Sequence, residues 1–275
     1  VRLPLPGAGP RRTAGADAVV TGAGSGIGRA FACEIATRGG RVVCADIDGV
    51  GAEETADMIG ERAVPQVCDV SDGEAVAALA DAAEDWFGKP VDIVVNNAGI
   101  GAGGVVVGEM PMDLWRRTID VNLWGVVHGC HVFAPRMRAA GRGGIVNVAS
   151  AAGFAAAPRM AAYNVSKAGV LALSETLAAE LSGTGVNVTV LCPTFVKTNI
   201  VNPDTIDDGA ARLATAAMKW TGVSPDSVAR AALDALDRGQ LHVVPQLDAK
   251  VIWQTKRMLP ATYTRTLGVI ERITR

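Results

Sequence analysis

The chain reads as a single α/β domain: a doubly wound, parallel sheet of about seven strands with helices on both faces. Two observations predict it. Short apolar runs rich in Val, Ile and Ala alternate with longer helix-like segments from residue 15 onward, which is the βαβ pattern of a parallel sheet. Ala, Val and Gly also carry the bulk of the apolar content, which suits close helix-on-sheet packing and parallel strands buried on both faces. With 275 residues, 49% hydrophobic and only 4% aromatic, the chain is long enough for a large core of small side chains.

The elements follow in order. Residues 1–14 are rich in Pro, Gly and Arg without periodicity and read as a flexible tail. Strands are expected at residues 16–20, 41–46, 64–70, 91–96, 144–149, 186–192 and, briefly, 241–244. Helices are expected at residues 27–38, 51–60, 73–87, 112–139, 160–182, 204–220 and 224–238. Gly183 and Gly185 stop the fifth of these. Residues 15–248 thus form one domain, and 249–275 an extension packed on it or on an oligomer. Ligands of such sheets bind beyond the carboxyl ends of the strands, where strand order reverses.

Composition excludes several classes. The formal net charge of −2 carries no basic footprint for nucleic acid. No apolar run reaches the roughly 18 residues of a membrane span, and no secretory pattern follows Arg11 and Arg12. Cys33, Cys44, Cys68, Cys130 and Cys192 form no CxxC pair and read as core thiols of a cytoplasmic protein, a Cys44–Cys68 disulfide being the lesser alternative. His128 and His131 lack a third ligand nearby, so no metal is expected.

Directly after the first strand stands Thr21-Gly22-Ala23-Gly24-Ser25-Gly26-Ile27-Gly28. A glycine-rich turn opening a helix lets backbone N–H groups approach a pyrophosphate. The pattern TGxxxGxG resembles the turn of the short-chain dehydrogenase/reductase family, over roughly residues 15–245. The resemblance implies a Rossmann-type domain that binds a nicotinamide dinucleotide through Gly22, Ser25, Gly26, Ile27 and Gly28.

Asp46 ends the second strand, eighteen residues after Gly28. Its carboxylate can accept hydrogen bonds from ribose hydroxyls and would repel a 2′-phosphate. Where NADP users of the family tend to carry a basic residue, this chain has Ser25, Ile47 and Asp48. The cofactor expected is therefore NAD. By the same resemblance Asp69 and Val70 meet adenine, and Asn96, Ala98 and Gly99 of Asn96-Asn97-Ala98-Gly99 pass beside the cofactor. Pro193, Val196 and Thr198 would meet the nicotinamide. The family has Pro-Gly after the sixth strand; this chain has Pro193-Thr194.

Tyr163 and Lys167 stand four apart on one helix face, thirteen residues and more beyond Ser150. A free phenol is a poor base at neutral pH. A neighbouring ammonium lowers its pKa, so Tyr163 can move the alcohol proton while Ser150 holds the substrate oxygen. The resemblance adds Asn122, which would help hold a water beside Lys167, and gives Lys167 the nicotinamide ribose. Segments 100–107, 151–160 and 194–220 are poor in cations, which favours a small-molecule, apolar secondary alcohol or ketone; residues 199–220 are expected to form a lid.

The expected activity is NAD-dependent alcohol oxidation or the reverse. Alternatives are an NADPH-dependent carbonyl reductase, a non-catalytic NAD sensor on the same fold, and an epimerase or dehydratase. The sensor has no need for Ser150, Tyr163 and Lys167 together. Residues 249–275 carry Lys250, Lys256, Arg257, Arg265, Arg272 and Arg275 against Glu271, interleaved with apolar residues. They read as a solvated helix pair packed on the lid or a neighbouring subunit; the competing reading is a membrane-surface element. Trp115, Trp124, Phe133 and Leu171 give the long helices more than one apolar face, so a homo-oligomer, dimer or tetramer, is expected.

Overall fold

A computed structural model describes residues 11–196 and 223–273. Seven strands form one sheet in the order β3-β2-β1-β4-β5-β6-β7, every pair parallel. They are β1 (Ala18–Thr21), β2 (Val42–Asp46), β3 (Ala63–Val67), β4 (Ile93–Asn96), β5 (Gly143–Val148), β6 (Val186–Leu191) and β7 (His242–Val243). Between and after them lie α1 (Gly26–Thr37), α2 (Gly49–Ile59), α3 (Gly73–Phe87), α4 (Met112–Ile119), α5 (Gly125–Ala140), α6 (Ala152–Ala155), α7 (Ala161–Glu180), α8 (Pro225–Asp237), α9 (Leu247–Met258) and α10 (Pro260–Ile273). The fold is the doubly wound sheet that the alternation predicts.

Successive strand residues point to opposite faces, and two cores result. Val19, Val43, Val94 and Ile145 meet α3, α5 and α7 on one face. Val20, Cys44, Val95 and Val146 meet α1 and α8 on the other. All five cysteines are free thiols, and burial pushes Cys44 up to about 12. His128 Nδ1 lies 2.9 Å from the Val70 carbonyl oxygen. Proline at position 65 is tolerated because β3 is the sheet edge.

Three expectations need correction. The helix expected over 112–139 is interrupted by a π turn at Asp120–Trp124, a feature that often marks functional sites. The third strand ends at Val67 rather than Val70, because the Asp69 carboxylate accepts from the Ser71 N–H and hydroxyl and turns the chain. The tail boundary also moves. Thr13 is buried, its N–H and hydroxyl donating to Asp237 at 2.9 and 2.8 Å, and Arg12 donates to the Gly185 carbonyl at 2.6 Å. Residues 11–14 therefore belong to the packed domain. The expected helix at 204–220 and the lid at 199–220 lie outside the described residues.

Candidate active site

Strand order reverses between β1 and β4, and the two are clipped together there. Thr21 Oγ1 donates to the Val95 carbonyl at 3.3 Å and accepts from the N–H groups of Asn97 and Ala98 at 3.0 and 3.2 Å. A cleft of about 610 Å³ opens above this point. Gly22, Ser25, Gly26, Ile27, Asp46, Asp69, Val70, Ala98 and Gly99 line it, so nine of the expected cofactor residues converge.

The turn is close-packed. Gly22 has φ +65°, and a Cβ there would sit 2.8 Å from Ala98 Cα. A Cβ on Gly28 would lie 1.9 Å from the Gly22 carbonyl oxygen. Gly28 does not line the cleft; it lets α1 approach the turn. Asp46 Oδ2 accepts from the Gly24 N–H at 2.8 Å and Oδ1 from the Asp48 N–H at 3.0 Å. Each carboxylate oxygen has a second lone pair for a further donor.

Asn96 is not brought to the cleft. Its side chain donates to Asn147 Oδ1 on the neighbouring strand at 2.8 Å, and its own Oδ1 is buried without a partner among the described residues. Asn97 lines the cleft instead, donating to the Thr21 and Gly22 carbonyls at 2.9 and 3.2 Å. Arg116 and Arg117 also line it and were not expected there; nothing local in the sequence aims α4 at the cleft.

Ser150 follows β5, and Tyr163 and Lys167 project from the first turns of α7. Ser150 stands near enough to the Tyr163 phenol to pull its pKa down in part against burial. Ser150 Oγ accepts from the Ala152 N–H at 3.1 Å and reaches the Pro193 carbonyl at 3.4 Å. Lys167 Nζ stands 5.9 Å from the Tyr163 ring centre and donates to the Val148 carbonyl at 2.9 Å. Lys167 is only 3% exposed, and burial pulls its pKa down to about 8 against the opposing pull of Cys192.

The phenol departs from expectation. In the chain alone burial pushes the Tyr163 hydroxyl above its ordinary value, offset in part by Ser150. Lys167 donates to a carbonyl rather than to the phenol, so the expected lowering is not present.

Asn122 sits in the π turn, fully buried. Its Oδ1 accepts from the Ile100 N–H at 2.7 Å and its Nδ2 donates to the Ile100 carbonyl at 2.9 Å. Gly99 lies between it and Lys167: a Cβ there would stand 3.1 Å from Asn122 Oδ1 and 3.4 Å from Lys167 Nζ. Asn122 thus fixes the loop after β4 beside Lys167.

Pro193 and Val196 follow β6. The Pro193 carbonyl accepts from the Ala151 N–H at 2.8 Å, which ties this loop to Ser150. Thr194 does not have the positive φ that favours glycine, so the Pro-Thr departure is accommodated. The Thr194 N–H donates to Gln246 Oε1 at 3.2 Å, and Gln246 Nε2 donates to the Phe195 carbonyl at 3.2 Å. Thr198 lies outside the described residues.

A family model described as short chain dehydrogenase matches residues 16–208. "Probable oxidoreductase EphD" of Mycobacterium tuberculosis is 39% identical over 260 residues, covering 90% of this chain and 44% of that protein; the chain thus spans less than half the length of this relative. "1-deoxy-11-beta-hydroxypentalenate dehydrogenase" of Streptomyces exfoliatus is 37% identical, with 85% and 84% covered. A solved short-chain dehydrogenase/reductase from Burkholderia phymatum, in complex with NAD, superposes with TM-score 0.84 at 35% identity, covering 90% and 94%. The chain belongs to the short-chain dehydrogenase/reductase family.

Proposed function

We propose that the chain is an NAD-dependent dehydrogenase that interconverts an apolar secondary alcohol and its ketone. The observation that carries this reading is the meeting of Ser150, Tyr163 and Lys167 at the carboxyl end of β5, beside a glycine-walled cleft. The cleft fits a dinucleotide: backbone approaches closely where side chains would collide, and Asp46 stands at its rim with lone pairs to spare. Gly22, Ser25, Gly26, Ile27, Asp46, Asp69, Val70, Ala98 and Gly99 would hold the cofactor, which when bound accepts or supplies hydride.

The chain's own groups handle the oxygen and its proton. Ser150 Oγ donates to the substrate oxygen and orients it toward Tyr163. In oxidation Tyr163 Oη, as phenolate, takes the hydroxyl proton; in reduction it returns a proton to the carbonyl oxygen. Lys167, buried beside Tyr163 with no carboxylate partner among the described residues, favours the phenolate electrostatically when charged. Asn122 keeps the Ile100 backbone in place next to Lys167. Pro193, Val196 and Thr198 are assigned to the nicotinamide side.

Asp46 supports NAD over NADP, since its carboxylate opposes a 2′-phosphate. Arg116 and Arg117, without a carboxylate partner among the described residues, favour the second reading, an NADPH-dependent reductase. Affinities for NADH and NADPH decide between them: at least tenfold tighter NADH is expected, and equal or tighter NADPH overturns the choice. The apolar substrate is supported by the poverty of charge in residues 100–107 and 151–160. The Streptomyces relative is named for a dehydrogenase of a hydroxylated pentalenate; this supports oxidation of an alcohol but, since a pentalenate is a carboxylate, not the absence of charge on the substrate. Free thiols suit the cytoplasm. Half-exposed Trp124 at the end of the π turn and Val165 on α7 support association of copies through these elements.

The test is NADH formation from NAD⁺ across a panel of apolar secondary alcohols, with Tyr163→Phe beside the wild type. Turnover lower by roughly a thousandfold in the variant is expected. Turnover that survives the substitution rejects Tyr163 as the proton carrier.

A further inference from the structure

We propose that the outer faces of α9 and α10 form a docking surface for anionic lipid, carried next to the substrate loops. On α9 the inner side packs on the domain through Ala249, Ile252 and Trp253. Leu247, Val251 and Met258, spaced by four and seven, form a second apolar stripe on the opposite side. Leu247 is 76% and Met258 75% exposed. On α10 Tyr263, Leu267 and Glu271 face inward, while Val269 and Ile273 point out, Ile273 at 78% exposure. No residue of α10 is fully buried.

Charge chooses the occupant. Lys250, Lys256, Arg257, Arg265 and Arg272 lie on these two helices, and none has a carboxylate within ion-pair reach among the described residues. Their two carboxylates are engaged elsewhere: Asp248 accepts from the Thr194 hydroxyl at 3.3 Å and the Ala249 N–H at 2.8 Å, and Glu271 pairs with Arg159 at 2.9 Å. Lys256 lies on the inner side with Ile252, and a two-fold contact between copies would set the other four cations against four. Apolar stripes with unneutralised cations instead match the boundary of an anionic bilayer, where apolar side chains enter the headgroup region and cations meet phosphate. Among the described residues no helix is long and apolar enough to cross a membrane, so the element lies on the surface.

The same helices hold the loop after β5. Trp253 stacks on Phe154 with ring centres 5.8 Å apart, and the Tyr263 hydroxyl donates to the Ala155 carbonyl at 3.0 Å. Ala156, next to these contacts, and Arg159, held by its pair with Glu271, are both at positive φ (53° and 60°). That conformation costs energy in residues with a Cβ and persists where surroundings hold it. A docked surface therefore abuts the wall of the proposed substrate site. Delivery of an apolar alcohol from the bilayer rests on the reading given above; lipid binding does not, and is measured without turnover.

The experiment is co-sedimentation of the 275-residue chain with vesicles of phosphatidylcholine alone and of equal parts phosphatidylcholine and phosphatidylglycerol. Binding to the mixed vesicles is expected, weaker by roughly tenfold or more without phosphatidylglycerol. Val269→Ser with Ile273→Ser, and separately Arg265→Gln with Arg272→Gln, should each weaken it by roughly tenfold or more, with circular dichroism and NADH affinity unchanged. Absence of binding to mixed vesicles, or wild-type binding by both variants, overturns the proposal. So does a lipid-free oligomer, seen by light scattering, that the serine pair dissociates, since a second copy then covers the face.

Discussion

At the amino-terminal end of the sheet, Asp17 receives the Arg41 guanidinium in two hydrogen bonds of 2.9 and 2.7 Å, and Lys89 bridges Asp17 and Asp92 at 2.9 and 2.6 Å. Arg142 reaches Asp92 at 3.4 Å. At the carboxyl-terminal end, among the described residues, Lys167 is buried with a carbonyl and no carboxylate, and Asp46 is met only by backbone N–H groups. The same strands carry both ends. One end neutralises its charges against each other; the other leaves them available to a ligand. Charge placement of the first kind stabilises the fold, and of the second kind lowers stability in return for chemistry.

Substitutions at the two ends should therefore separate function from stability. The largest effect on cofactor binding is expected at Gly28→Ala, whose methyl would collide with the Gly22 carbonyl and force the turn open. Titration with NADH should show affinity weaker by roughly a hundredfold, on the order of 3 kcal/mol, while the amino-terminal ion cluster is untouched. Unchanged affinity would mean that the turn does not shape the dinucleotide site.

Asp17→Ala is the counterpart. It strands Arg41 and Lys89 beside a buried gap, and urea unfolding should show a loss of about 2–4 kcal/mol, with NADH affinity per folded molecule preserved. A smaller effect follows in acid. Burial raises the Asp17 pKa, but hydrogen bonds and charge from Arg41 and Lys89 outweigh it, so the folded value lies below 3.8. Its stabilisation is complete above the unfolded value and fades as pH falls through the folded one. The stability gap between wild type and Asp17→Ala should hold near neutrality and narrow below about pH 4. A gap that stays constant in acid would remove the carboxylate from the account.

The sequence made some of this division legible and hid the rest. The glycine turn could be read because its backbone admits few residue types, and the Tyr163–Lys167 pair because helix geometry makes four-residue spacing a contact. Asn96 was misjudged by treating its four-residue turn as one unit. Strand alternation puts Asn96 on the same face as Val94, toward α5, where Gly129 makes room for it. The π turn was hidden because apolar periodicity runs on through residues 120–124. Contacts such as Thr13 with Asp237 and Tyr263 with Ala155 join residues more than a hundred apart, and no local pattern announces them. The raised Tyr163 pKa is of the same kind, since burial is a property of the assembled fold.

Lys167→Met tests the central contrast most directly, by urea unfolding and alcohol turnover on the same samples. Lys167 titrates near 8 in the fold against an ordinary 10.5. Burying its charge thus costs stability below about pH 8, on the order of 3 kcal/mol, and the cost is relieved as pH rises from about 8 toward 10.5. The account predicts a variant at least as stable as wild type at pH 7, with turnover lower by roughly a hundredfold or more, and a stability difference that shrinks above pH 8. A variant that unfolds as readily as Asp17→Ala yet keeps its turnover per folded molecule would contradict it.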